Sequence, residues 1–151
     1  MARGPEIPSR ALRNCLSPRT LVLLNWKSIQ KEGGSFGVLK PELLVNLAEL
    51  VEQTAHYMAQ EGRSLDFIER VSLAVYLLVK GHPFQDGNKR TALRMLINCL
   101  RLAELKYTGR PIDLAYSIEA IAKSDPSEKE KLFLEFAGFL KRHLQRRDKV
   151  A

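Results

Sequence analysis

Hydrophobic positions along this chain recur mostly three and four residues apart, the interval of a helix with one buried face. Residues 18–30 read as a first helix, closed by Gly33 and Gly34. Pro41 stands where a first helical residue belongs, and Leu43, Leu44, Leu47, Leu50, Val51 and Met58 follow at helical spacing until Gly62. Ser64 is the expected cap of a helix over residues 65–80, apolar nearly all round through VSLAVYLLV, the pattern of a helix at the centre of a bundle. Gly81 suits the position just past its end, and Pro83 drives His82 out of the right-handed helical region. A second strongly apolar helix begins near Asn88, runs through Leu93, Leu96, Ile97, Leu100 and Leu102, and stops at KYTGRP. A shorter helix over 112–123 follows. The last runs from near Pro126 to Leu144, started by Asp125 with Pro126 or by Ser127 with Glu130. Strand signals are nearly absent. The predicted fold class is all-α: a compact helical bundle whose two most apolar helices are joined by a loop. Residues 1–17 and 146–151 are expected as tails around a domain over 18–145.

The length of 151 residues suits one domain with one core. No apolar run approaches the roughly 20 residues of a membrane span, so no membrane partner is expected. Cys15 and Cys99 lie far apart and offer neither a disulfide framework nor a zinc spacing. The N-terminus lacks the apolar core of a secretory signal, and the chain is expected to be cytoplasmic. Net charge is +7, which favours an anionic partner: a nucleotide, nucleic acid or an acidic protein. Much of the excess sits at the two ends, in Arg3, Arg10, Arg13 and Arg19 and in Lys141, Arg142, Arg146, Arg147 and Lys149, expected as solvated helix ends and tails. Aromatic residues do not interleave with these clusters as a stacking surface for nucleic acid would. A catalytically idle basic binding module therefore rests on charge alone.

The stretch HPFQDGNKRTA, residues 82–92, places an imidazole, a carboxylate, a glycine and two adjacent cations where a helix begins. Helix starts leave several N–H groups without intrahelical partners and carry the positive end of the macrodipole. Such an end holds anions. Gly87 lets the backbone approach a phosphate closely, Lys89 and Arg90 add two full charges, and Asn88 can donate its amide to a phosphate oxygen or cap the helix. Asp86 is the one carboxylate of the loop and the candidate ligand for a Mg²⁺ ion arriving with a polyphosphate. His82 is of the residue type suited to take a proton from a hydroxyl at neutral pH. Phe84 is expected to anchor the loop in the core. Singly, each polar group has a plainer structural use; gathered in one short loop between buried helices, they make a site for phosphoryl chemistry.

The same residues resemble the signature of the Fic/Doc superfamily, and within it the Doc (death on curing) toxin branch. The Fic motif proper reads HPFxxGNGR with a further arginine three residues on. Here Lys89 replaces the second motif glycine, Leu93 stands at the arginine position, and Arg94 follows one place late. The likeness extends through SLAVYLLVKGHPFQDGNKRTALRMLINCLRLAELKYTG and GGSFGVLKPELLVNLAELV, roughly residues 30–144. It implies that His82 activates a target hydroxyl, Asp86 binds Mg²⁺, and Gly87, Asn88, Lys89 and Arg90 hold the phosphates of ATP. In the Doc branch the lysine goes with transfer of the γ-phosphate rather than AMP. The resemblance further implies elongation factor Tu as target, modified on a threonine, and a Phd-like antitoxin as partner; protein adenylylation is the alternative activity.

Gly33, Gly34, Ser35, Phe36 and Gly37 form a glycine-rich candidate for the family's target-clamping flap, or else a plain helix-to-helix connection. SIQKEG, residues 28–33, fits the S/T-x-x-x-E-G/N pattern of an autoinhibitory helix in Fic enzymes. That glutamate needs the second motif arginine, and Arg94 is expected to face elsewhere, so the match is read as coincidental.

Overall fold

Helix α4 (Phe67–Gly81) sits at the centre of the computed structural model, which describes residues 9–147. It packs against α3 (Pro41–Gln60), α5 (Asn88–Leu102), α6 (Pro111–Lys123) and α7 (Lys129–Lys141). Val71, Leu73, Ala74, Val75, Leu78 and Val79 are all buried, which is why the sequence is apolar round most of this helix. Two further helices, α1 (Ser9–Cys15) and α2 (Pro18–Glu32), lie against α5. The all-α bundle is thus the observed fold, and no described helix is long and apolar enough to cross a membrane.

Several boundaries differ from expectation for identifiable reasons. Residues 9–15, expected within a tail, form a helix because Leu12, Cys15 and Leu16 reach the core. Arg3 and Lys149 lie outside the described residues. The start of α4 is set by Asp66, not Ser64: its carboxylate accepts from Glu69 N–H, and the Glu69 side chain accepts from Asp66 N–H. Gly81 is helical, and the left-handed position beyond α4 is taken by His82 itself. A Cβ at 81 would displace the Leu43 side chain of α3, so glycine fits there for a different reason.

The expected last helix is broken. Asp125 caps a 3₁₀ turn over Pro126–Glu128, α7 follows, and the chain then extends as β2 (Leu144–Arg146). That strand pairs antiparallel with β1 (Leu105–Tyr107), Lys106 opposite Gln145. Three-residue strands carry too little alternation to be read from a sequence. His143 packs its ring beside Tyr107 and Phe139. The largest correction concerns the cysteines. Cys15 and Cys99 are joined in a disulfide that ties α1 to α5 across 84 residues of chain.

Candidate active site

The loop between α4 and α5 is built on two clamps. Phe84 is buried in the core as expected. Asn88, the first residue of α5, accepts from Phe84 N–H through Oδ1 at 3.0 Å and donates through Nδ2 to Phe84 C=O at 2.9 Å. One donor and one acceptor of its amide are therefore engaged with the loop backbone. The second clamp comes from α2. Asn25, fully buried, donates to Asp86 C=O at 2.9 Å and to the Thr91 hydroxyl at 3.0 Å. Sequence reasoning missed Asn25. Its signal was two polar residues, Asn25 and Ser28, on the buried face that Leu21 and Ile29 define.

Gly87 adopts φ 75°, ψ 22°, a left-handed position that caps α5 without any side-chain hydrogen bond. The first-turn N–H groups of α5 are thus left for a ligand. Lys89 and Arg90 occupy this first turn, where cations oppose the helix dipole. An anion bound at this helix start would relieve that opposition.

The cations do not point into open space. Arg90 donates to Gly33 C=O at 3.0 Å and to Ser28 C=O at 3.4 Å, holding the last turn of α2. Glu32 lies between Arg90, at 3.6 Å, and Arg94, at 3.0 Å. The match of SIQKEG is therefore not coincidental in space. Arg94 is four residues beyond Arg90, and an i, i+4 pair shares a helix face as well as an i, i+3 pair does. Lys89 leans the other way, to Glu119 of α6 at 2.7 Å. The Lys89 ammonium beside Glu119 holds that carboxyl below its usual range, through its hydrogen bond first and its charge second.

His82, just past α4, is exposed and sits at φ 49° and ψ 58°. A left-handed backbone at a non-glycine residue costs about 1–2 kcal/mol. It is held by the bond from its N–H to Leu78 C=O, by Pro83, and by neighbours that pin the Pro83 carbonyl. Those neighbours directly follow the glycine-rich segment, which packs along the same loop. Leu39 and Lys40 N–H both donate to Pro83 C=O, Gln85 N–H donates to Gly37 C=O, and Val38 bridges Phe84 as one antiparallel pair. Ser35 N–H donates to Asp86 Oδ2 at 2.8 Å. Gly34, at φ 109°, passes so close to Asp86 that a Cβ would lie 3.1 Å from the aspartate's own Cβ. Phe36 is half exposed at the rim. The five candidate flap residues thus run along the motif loop, edge to edge.

The loop brings together His82, Asp86, Gly87, Lys89 and Arg90, with Asn88 beneath them. Among the described residues no three His, Cys, Asp or Glu side chains cluster as a protein-only metal cage. A Mg²⁺ ion shared with phosphate oxygens needs only one or two carboxylates, and the partly buried Asp86 is of the type to serve.

The sequence profile of the Fic/DOC family matches residues 15–100, from the end of α1 to near the end of α5. The chain is similar to two proteins named protein adenylyltransferase fic-1. The one from Caenorhabditis briggsae is 41% identical over 71 residues, 46% of this chain. The one from Caenorhabditis elegans is 37% identical over 70 residues, again 46% of this chain. The matches span 13% of each relative's length.

Proposed function

The chain belongs to the Fic/DOC family, and on that premise we propose that it uses ATP to modify a hydroxyl group on a protein, transferring the γ-phosphate. One observation carries the reading: a histidine, a carboxylate and an uncapped, doubly cationic helix start share a single clamped loop. In the reaction, the target oxygen attacks phosphorus while its proton passes to the His82 imidazole. The bond from phosphorus to the leaving ADP oxygen breaks, and ADP keeps the electron pair. Gly87 and the first-turn N–H groups of α5 orient the phosphates, and Arg90 balances their charge. Asp86 would hold Mg²⁺, which neutralises phosphate charge when bound. Lys89, where the Fic motif has glycine, supports phosphate rather than AMP as the transferred group.

AMP transfer is the second reading, and a specific observation favours it. Leu93 stands at the position of the second Fic arginine, yet Arg94 lies beside Arg90 at Glu32. The names of the two relatives point the same way. Elongation factor Tu is the first target to try under the kinase reading, with a Phd-like antitoxin as the partner to seek. The deciding experiment incubates the protein with Mg-ATP, elongation factor Tu and a lysate, and weighs the modified proteins. A phosphate-sized gain that His82→Ala abolishes is expected. A nucleotide-sized gain overturns phosphate transfer in favour of AMP. No gain, with His82→Ala arresting growth as wild type does, overturns both.

A further inference from the structure

Lys89 is the residue on which the choice of transferred group turns, and its ammonium is already occupied. We propose that Glu119 of α6 is a positioning residue, the resting partner of Lys89, which an incoming phosphate must displace. The inference rests on the nucleotide reading above and deepens it. Lys89 Nζ lies 2.7 Å from Glu119 Oε2, and Lys123 Nζ lies 3.9 Å from Glu119 Oε1. One carboxylate therefore stands between two ammonium groups, one on the motif helix and one on its own helix. When Lys89 leaves, Glu119 keeps Lys123, four residues along α6, so the exchange strands no charge.

Magnitudes favour exchange over a permanent lock. Lys89 and Glu119 are 52% and 37% exposed, and ion pairs with that much water contact are weak. A polyphosphate offers several negative charges against one carboxylate, and it sits at a helix start whose N–H groups attract it further. Lys89 is the second residue of α5, and helical side chains slant toward the helix N-terminus, so a freed ammonium lies beside that same anion. Glu119 thus competes with phosphate for Lys89 and sets how tightly nucleotide is held.

Mg-ATP binding to the purified full chain tests this by calorimetry, in wild type, Glu119→Gln, Glu119→Asp, Lys89→Ala and the Lys89→Ala/Glu119→Gln double variant. Thermal unfolding checks that each variant is folded. Glu119→Gln is expected to tighten binding about two- to fivefold, the range for losing one exposed competing pair. Glu119→Asp should stay near wild type, and Glu119→Gln should change nothing once Lys89 is gone. With the transfer assay in place, KM for ATP should fall in Glu119→Gln while kcat does not rise. Unchanged or weaker binding in Glu119→Gln overturns the proposal while leaving the nucleotide reading intact. Equal tightening with and without Lys89 also overturns it, since only the general field would then be acting. Failure of every variant, wild type included, to bind Mg-ATP overturns both this inference and the function it rests on.

Discussion

Two residues, one in the motif and one on α2 facing it, divide structure from chemistry. Asn88 accepts and donates one hydrogen bond each with the buried Phe84 backbone. Asn88→Ala therefore leaves a buried N–H and a buried C=O unpaired, at a cost of about 1–3 kcal/mol for such a group. The expected outcome is a lower urea midpoint, not merely weaker nucleotide binding; an unchanged midpoint would mean that Asn88 does not clamp the loop. Glu32 acts in the opposite sense. It draws Arg90 and Arg94 together from the α2 side, and under the proposed function it would compete with phosphate for their charge. Glu32→Ala should raise the rate of label transfer from radioactive ATP, as expected of an inhibitory glutamate in this family. An unaltered or lower rate would mean that Glu32 merely holds the helices together.

At the scale of elements, the legible parts were long and periodic. The four helices α2 to α5 and the loop between α4 and α5 follow from apolar spacing, Pro41, Gly62 and Pro83, because each signal is local. What the sequence concealed depended on contacts between distant segments. The site residues were visible, but Glu119, which pairs with Lys89, and Asn25, which holds the loop, sit on other helices, and only packing brings them near. The strands β1 and β2 pair across a gap that includes all of α6 and α7. The start of α6 allows a test at this scale. Arg110, its cap residue, donates to both Asp113 oxygens at 2.8 and 2.9 Å. That hydrogen bonding, foremost, holds the Asp113 carboxyl below its ordinary 3.8. A lowered folded-state value means that stabilisation is full above the unfolded value and is lost as pH falls through the folded one. Asp113→Asn should therefore unfold at a slightly lower temperature than wild type at pH 7, with the gap closing below about pH 3.8, the unfolded carboxyl's range. A gap of equal size at pH 2.5 and pH 7 would show that charge is not its source.

Across the whole molecule, the motif helix is held from both ends by different means. Its start is fastened to α2 through Asn25, Arg90 and Arg94, and its distal half to α1 through Cys99 and Cys15. The expectation of two unrelated cysteines failed because sequence distance says nothing of spatial distance: 84 residues of chain fold back to join them. A link closing a loop that long removes much of the unfolded chain's freedom, and native disulfides of this kind contribute about 2–4 kcal/mol. Cys15 and Leu12 are also the buried contacts of α1, so loosening the link loosens the first helix before the bundle. Reduction with dithiothreitol under mild denaturant should lower the unfolding midpoint and expose the amides of 9–15 to hydrogen exchange ahead of those in α4. Cys15→Ala/Cys99→Ala should reproduce that order without reductant and then be indifferent to it. Exchange that stays as slow in α1 as in α4 after reduction would show that Leu12 and Leu16 hold this helix unaided, and that the disulfide adds nothing to the seat of α5.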